Sequence, residues 1–334
     1  MNRPPTIKDV AERAGVHAAT ASRALNPATR GMVNARTANR VAEAARALGY
    51  APNSAARSLR TRTSSVAGVL VPDLRNPVFP PIVRGIEDGL RDAGYMALVG
   101  NTDGDPERER ELVTAMRGRQ IDGFILATSS RSAAFAADVA VPTVLVNRRT
   151  DNGGIPSVTA DNAAGIHLLV RHLAELGHTR LGHVAGPREL STGWERYRAY
   201  LDATASAGLE PVVEFADAFT ETAGHAATLR LLSAHPELTA VLAGNDLIAL
   251  GCYSALADLG RTVPGDVSVT GFNDMPFVDR QRPSLTTVRI PHYDLGREAA
   301  RLLLERIAAP DSPAKRVVLP VELVSRDSTA PVKS

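Results

Sequence analysis

The sequence predicts an α/β protein in which a small helical unit precedes two doubly wound lobes. Three observations predict it. Residues 6–26, TIKDVAERAGVHAATASRALN, carry two short helical patterns on either side of a glycine. From Val66 onward, short apolar runs alternate with amphipathic segments, the pattern of parallel strands joined by helices. That alternation comes in two sets, and 334 residues leave room for two or three domains.

The first helix starts at about Ile7. Ile7, Val10, Ala11 and Ala14 recur at i, i+3, i+4 and i+7, one face of a helix. Thr6 followed by Asp9 is close to a capping box and gives an acidic first turn. Gly15 suits the left-handed stop, and the helical pattern resumes from Val16 to Leu25. Two helices about a tight glycine turn form a helix-turn-helix, whose second helix enters the major groove of DNA. Any small helical protein contains a helix, a glycine and another helix, so the neighbourhood has to decide. Asn34 can cap a third helix with Val41, Ala44, Ala45 and Leu48 as its buried face and Gly49 as its stop. Charge agrees: residues 1–63 carry eleven Lys or Arg against three acids, leaving 27 basic and 33 acidic residues of the whole-chain 38 and 36 for the rest. A basic headpiece on an acidic body is expected where the headpiece alone meets phosphates.

The first strand set is VAGVLVP (66–72), MALVGN (96–101), GFILAT (123–128) and PTVLVN (142–147), with helices near 78–93, 106–119 and 131–137. The second is SVTAD (157–161), LGHVAG (181–186), VVEFA (212–216), AVLAG (240–244) and VSVTGFN (267–273), with helices near 162–176, 193–208, 220–233 and 245–259. Ligands of open α/β folds sit at the carboxyl ends of the strands, and two lobes would face a shared cleft there.

The stretch 6–26 and the later Gly49-Tyr50-Ala51-Pro52-Asn53 resemble the LacI/GalR family of bacterial transcriptional regulators, whose members open with a pattern like TIKDVAxxAGVSxxTVSRVLN and continue to GYxPN. The resemblance implies a helix-turn-helix headpiece (1–50), a hinge (51–63) and a two-lobed periplasmic-binding-protein-like core. Lobe 1 is expected to span 64–161 and 291–320, including a returning helix near 294–308. Lobe 2 is expected to span 162–290 and 321–330. It also implies the DNA-facing set. Ala18, Ala19 and Arg23 fall on base-reading positions, and Arg23 has the fork that donates to guanine O6 and N7. Thr6, Thr20, Ser22 and Asn26 suit phosphates or their surroundings. His17 stands where relatives have Ser, and its imidazole is the poorer cap, so within the DNA-facing set it is expected to face a phosphate or, with the greater weight, solvent. The loop Pro27–Met32 is about two residues longer than usual in the family. Leu59 matches the leucine that wedges into a central minor-groove step, with Asn53, Ala56 and Arg57 on the same surface.

Ten strand-end residues fall on positions that contact effectors in family members: Asp73, Asn76, Phe79, Thr128 and Asn147 in lobe 1, and Thr192, Arg196, Phe219, Asn245 and Asn273 in lobe 2. Amides and a guanidinium suit a polyol, and Phe79, Phe219 or Trp194 could cover its apolar face. Asn273 replaces the family's usual Asp. This leaves Arg196 without that carboxylate and adds an anionic sugar derivative to the expected effectors. Asp161, Asn162 and Asp246 read as helix caps. Tyr253, Leu256 and Leu259, with Met275, Phe277 and Val278, lie on elements that pair subunits in relatives, or else form plain core.

The expected function is sequence-specific transcriptional regulation, as a repressor, by a homodimer on a pseudo-palindromic operator under a small-molecule effector, a sugar or sugar derivative. The alternative is a transport-type sugar-binding protein with an N-terminal extension, which predicts a secretory signal that MNRPPTIKD does not supply. An enzyme is not expected, because GxSxG, GxxxxGK[ST] and GxGxxG after a strand are absent from the sequence. His167, His172, His178 and His183 are misplaced for zinc, and the lone Cys252 reads as a buried small hydrophobe. No cofactor or metal is expected. With no 18-residue apolar span, the protein is expected in the cytoplasm.

Overall fold

A computed structural model of the chain describes residues 3, 5–26, 29–51, 63–127, 130–132 and 141–332. The chain separates into two compact units, 1–64 and 65–334.

In the first unit α1 (Ile7–Arg13), α2 (Ala18–Leu25) and α3 (Ala35–Leu48) enclose a core of small residues, Val10, Ala11, Ala14, Ala21, Ala24, Ala38, Val41, Ala44 and Ala45. Alanine at the crossings lets three short helices approach closely. Asp9 Oδ2 accepts from both the Thr6 amide (2.6 Å) and the Thr6 hydroxyl (2.8 Å), which fixes the start of α1. Gly15 turns the chain at φ +60°, a left-handed conformation that side chains resist. Asn34 caps α3 by accepting from the Arg36 amide at 2.9 Å.

The second unit holds two parallel sheets. The first has the order β11-β5-β4-β3-β1-β2, from β1 (Val66–Val71), β2 (Met96–Asn101), β3 (Gly123–Leu126), β4 (Thr143–Val146), β5 (Ser157–Ala160) and β11 (Arg316–Leu319). The second has the order β7-β6-β8-β9, from β6 (Leu181–Ala185), β7 (Val212–Phe215), β8 (Ala240–Ala243) and β9 (Ser268–Thr270). The strand at 157–161, grouped by sequence with the second set, therefore belongs to the first sheet. Its apolar pattern is that of any buried strand, and only pairing with β4 and β11 decides its sheet. The antiparallel pair β10 (Thr287–Arg289) and β12 (Glu322–Val324) forms a separate two-stranded sheet. The helix expected near 131–137 falls largely outside the described residues.

Alternate side chains of β1 serve two cores. Ala67, Val69 and Val71 face α4 (Phe79–Asp92) and α10 (His292–Ala308), whereas Leu70 joins Val113 and Met116 of α5 (Pro106–Arg117). The second sheet is covered by α6 (Asn162–Glu175) and α7 (Ser191–Ser206) on one face, and by α8 (Glu221–Ala234) and α9 (Asp246–Asp258) on the other.

The α4–α10 crossing is so close that a Cβ at Gly85 would lie 2.0 Å from the Tyr293 carbonyl oxygen, and one at Gly296 2.0 Å from that of Ile82. Gly85→Ala must push the helices apart and is expected to destabilise the protein by about 1–3 kcal/mol. The readout is a lower urea midpoint at unchanged m.

Candidate functional site

Both sheets have their first strand internal, so each has a switch point, between β1 and β3 and between β6 and β8, where crevices open at strand carboxyl ends. A cleft in the second unit is lined by Asn76, Val78, Phe79, Asn147 and Arg148 from the first sheet's loops. Thr192, Arg196, Phe219, Asn245 and Asn273 line it from the second. Eight of the ten sequence-selected effector candidates thus come together. Asp73 stands outside the lining and pairs with Arg75. Thr128 lies outside the described residues. Trp194 is not in the lining either. It lies two helical positions from both Thr192 and Arg196 and so points elsewhere, its ring 4.3 Å under the Arg131 guanidinium and 5.6 Å from the Tyr197 ring.

The sequence reading missed Val78 and Arg148. Arg148 is 8% exposed, and burial pushes its pKa down to about 10 against the pull of Glu109. The available signal was the pair Arg148-Arg149 directly after a wholly apolar strand. Among the described residues the lining holds no carboxylate.

Arg196 is the best-anchored polar group. Its Nε donates to Asn162 Oδ1 (2.9 Å), Nη1 to the Gly244 carbonyl (2.7 Å) and Nη2 to Asn273 Oδ1 (3.4 Å), and its plane lies 3.8 Å over the Phe272 ring. Burial pushes its pKa down to about 9, with Asp246 and Glu195 opposing, so it remains a cation at neutral pH. Where the family's Asp would offer Arg196 a carboxylate, Asn273 and the other two partners offer neutral oxygens. Asn147 adopts φ +62°, the left-handed conformation that Asn tolerates, whereas Asn273 at φ +124° lies outside that region and is strained, as residues of functional segments often are. The cavity between these groups is about 30 Å³. That is room for water and well below the ~300 Å³ of small-molecule pockets, so the groups as arranged do not leave space for a sugar.

Two expected caps are corrected. Asp161 does cap α6, through the Ala164 amide (2.9 Å), but Asn162 donates to Glu195 (2.7 Å) and accepts from Arg196. Asn245 caps α9 through the Ile248 amide (2.9 Å). Asp246, wholly buried, accepts from the Thr287 hydroxyl (2.6 Å) and the Met275 amide (2.8 Å), tying the Asn273 loop to β10. A position next to a cap was mistaken for the cap in each case.

In the headpiece, His17, Ala19 and Arg23 are exposed, and Thr6, Ala18, Thr20, Ser22 and Asn26 half-buried. His17 does cap α2: its Nδ1 accepts from the Ala19 amide at 3.3 Å, since an imidazole nitrogen can stand in for the usual hydroxyl. Asn53, Ala56, Arg57 and Leu59 lie outside the described residues. Leu256, Met275 and Val278 are core, whereas Leu259 and Phe277 are exposed. Among the described residues no acid, His and Cys cluster could hold a metal ion, and no helix is long and apolar enough to cross a membrane.

His183 gives the second unit an acid sensitivity. It is wholly buried, its Nδ1 donates to the Leu242 carbonyl (2.9 Å), and its Nε2 has no hydrogen-bond partner among the described residues. Burial, aided by Arg196, pushes its pKa from 6.5 down to about 4. Below pH 6.5 the unfolded chain takes up a proton that the folded chain refuses, so stability falls until about pH 4. Asp246, pushed by burial up to about 6, works in the opposite direction over an overlapping range. The stability of His183→Phe relative to wild type is therefore expected to rise by roughly 3 kcal/mol between pH 7 and pH 4. Urea titrations at each pH measure it.

Residues 6–53 match the family described as bacterial regulatory proteins, lacI family, and residues 170–329 the periplasmic binding protein-like domain. The ribose operon repressor of Halalkalibacterium halodurans is 35% identical over 97% of each chain. Among solved structures, the Lac repressor dimer bound to operator and an anti-inducer superposes with a TM-score of 0.88 at 28% identity, covering 98% of this chain and 100% of that one. A complex of the transcriptional regulator CelR with cellobiose gives 0.74 at 30% identity, covering 97% and 99%.

Proposed function

The chain belongs to the lacI family of bacterial regulatory proteins, and from that premise we propose how its two units divide the work of a ligand-controlled transcriptional repressor. The headpiece, 1–50, binds DNA through α2, with Arg23 reading a base and Ala18 and Ala19 allowing close approach. Residues 51–63 form the hinge, with Leu59 as the minor-groove wedge. Lobe 1 is assigned to 64–161 and 291–320, and lobe 2 to 162–290 and 321–330. The two lobes enclose the effector between the loops that carry Asn76, Phe79, Asn147, Arg148, Thr192, Arg196, Phe219, Asn245 and Asn273. Two such chains, paired as in the Lac repressor dimer, present two recognition helices to a pseudo-palindromic operator. Its relatives are transcriptional regulators, and its site of action is the cytoplasm, where the operator is.

The observation that carries the effector reading is the convergence of amides, two buried guanidinium groups and two phenyl rings on one cleft. Amides and guanidinium groups exchange hydrogen bonds with hydroxyls, and the rings cover apolar sugar faces. We assign the cleft to a sugar or sugar derivative, since CelR is seen in complex with cellobiose and the Halalkalibacterium halodurans relative is a repressor of the ribose operon. The carboxylate-free lining with Arg148 and Arg196 favours one bearing a phosphate or carboxylate. A thermal-shift screen of neutral sugars, sugar phosphates and nucleosides tests this, since a ligand of the folded state raises the melting temperature. Stabilisation by a sugar or its derivative, lost in Asn273→Ala, supports the assignment. Stabilisation by none of them contradicts it.

A further inference from the structure

Arg148 and Arg149 leave β4 together, but only Arg148 lines the cleft. Arg149 faces α7. Its amide donates to the Ser191 hydroxyl (3.0 Å) and its guanidinium is ion-paired with Glu195 Oε1. The other oxygen of Glu195 accepts from Asn162 Nδ2 (2.7 Å), and the oxygen of that same amide accepts from Arg196 Nε (2.9 Å). Asn162 is 3% exposed and directly follows the crossover from β5 of the first sheet to α6 on the second. Its amide has one donating and one accepting end. Turning it over would set its NH₂ against a guanidinium and its oxygen against a carboxylate, so each bond fixes the next. The series therefore starts on the first sheet and ends at the cation of the cleft, which stands on the second.

We propose that Arg149 is a positioning residue for the effector, acting through Glu195 and Asn162 to aim Arg196 while the two sheets' loops are closed. The inference rests on the reading of Arg196 as an effector contact. When the loops separate to admit a ligand, Arg149 withdraws from Glu195, the Glu195 carboxylate loses the ion pair that holds it against the Asn162 amide, and the hold of that amide on Arg196 loosens. Closure and the aim of the guanidinium are then one event, so a ligand that engages Arg196 favours the closed state by the difference in its affinity for the two. Had Arg149 only a general packing role, its loss would loosen the neighbourhood evenly.

The test needs no effector. In the ¹⁵N-labelled full chain, the Nε–H resonance of Arg196 is identified by its loss in Arg196→Lys, and its hydrogen exchange is measured. Arg149→Ala is expected to speed that exchange roughly tenfold or more, with Arg149→Lys restoring it, while backbone amides of β6 and β8 keep their protection. Asn162→Ala, which removes the direct partner, is the positive control. Exchange unchanged in Arg149→Ala but fast in Asn162→Ala would overturn the relay, as would parallel acceleration of the β6 and β8 amides. A D-ribose titration followed by Trp194 fluorescence separates the two readings. If wild type responds, Arg149→Ala weakens D-ribose by a factor similar to the exchange change. If it does not, fast exchange in Arg149→Ala still upholds the relay, and D-ribose is removed from the effectors.

Discussion

Arg196→Ala is expected to weaken effector binding by roughly 30-fold to several thousand-fold, the about 2–5 kcal/mol lost when one partner of a buried, hydrogen-bonded charge contact is truncated. Operator binding should persist and become indifferent to effector. The reason is geometric: the guanidinium spends Nε, Nη1 and part of Nη2 on Asn162, Gly244 and Asn273, which holds it rigid, and leaves its remaining donor capacity at the cleft. Truncation also strands the oxygens of Asn162 and Gly244, so part of the loss is reorganisation. Arg196→Lys separates the two. It retains the charge and most of the volume but not the planar fork, and is expected to bind effector more weakly than wild type and more tightly than Arg196→Ala. Titrations of effector with each variant, beside melting curves without it, measure both parts. A variant that melts like wild type and binds effector equally well would remove Arg196 from the site.

Arg23→Ala is the second large effect. Arg23 is exposed on α2, one turn beyond exposed Ala19 and on the helix whose opposite face, Ala21 and Ala24, is buried in the headpiece. A bidentate arginine–guanine contact discriminates by about 1–3 kcal/mol, so affinity for the selected operator should fall roughly 5- to 150-fold. Affinity for non-specific DNA should fall much less, by the share of one phosphate-range charge. Thr20→Ala, by contrast, should weaken all sequences alike, because a hydroxyl on a phosphate fixes register without reading bases. Competition binding with operator and scrambled duplex at one salt concentration distinguishes these outcomes. Equal losses on both duplexes with Arg23→Ala would assign it to the backbone.

Much of this was legible in the sequence because the physics involved is local. Thr6, Gly15, Asn34 and Gly49 punctuate three helices by capping and left-handed geometry, which depend on near neighbours only. Strand-end Asn147, Asn245 and Asn273 follow from the rule that parallel strands deliver ligand groups at their carboxyl ends. What depended on contacts distant in sequence was not legible. SVTAD could pair with either sheet until β4 on one side and β11, some 160 residues later, on the other were brought beside it. Arg148 and Arg149 are adjacent and chemically identical, yet only one lines the cleft while the other is ion-paired with Glu195 on α7. Asn162 and Asp246 sit beside true caps, and nothing local separates a side chain that turns back to its own helix from one that reaches another element. His17 shows the reverse error. A residue judged by the frequency of its type was acting as a cap because its Nδ1 lay within reach of an amide.

If one chain couples an effector cleft to a DNA-reading headpiece, reciprocal linkage between the two ligands must follow. Operator affinity is measured with and without a saturating sugar or sugar derivative taken from the thermal screen, using a duplex selected from random sequence by the full-length protein. Effector affinity is then measured with and without that duplex. Both affinities are expected to change by the same factor, of order 5- to 150-fold, because coupling between two sites belongs equally to each. An effector that stabilises the protein yet leaves operator affinity unchanged would contradict it.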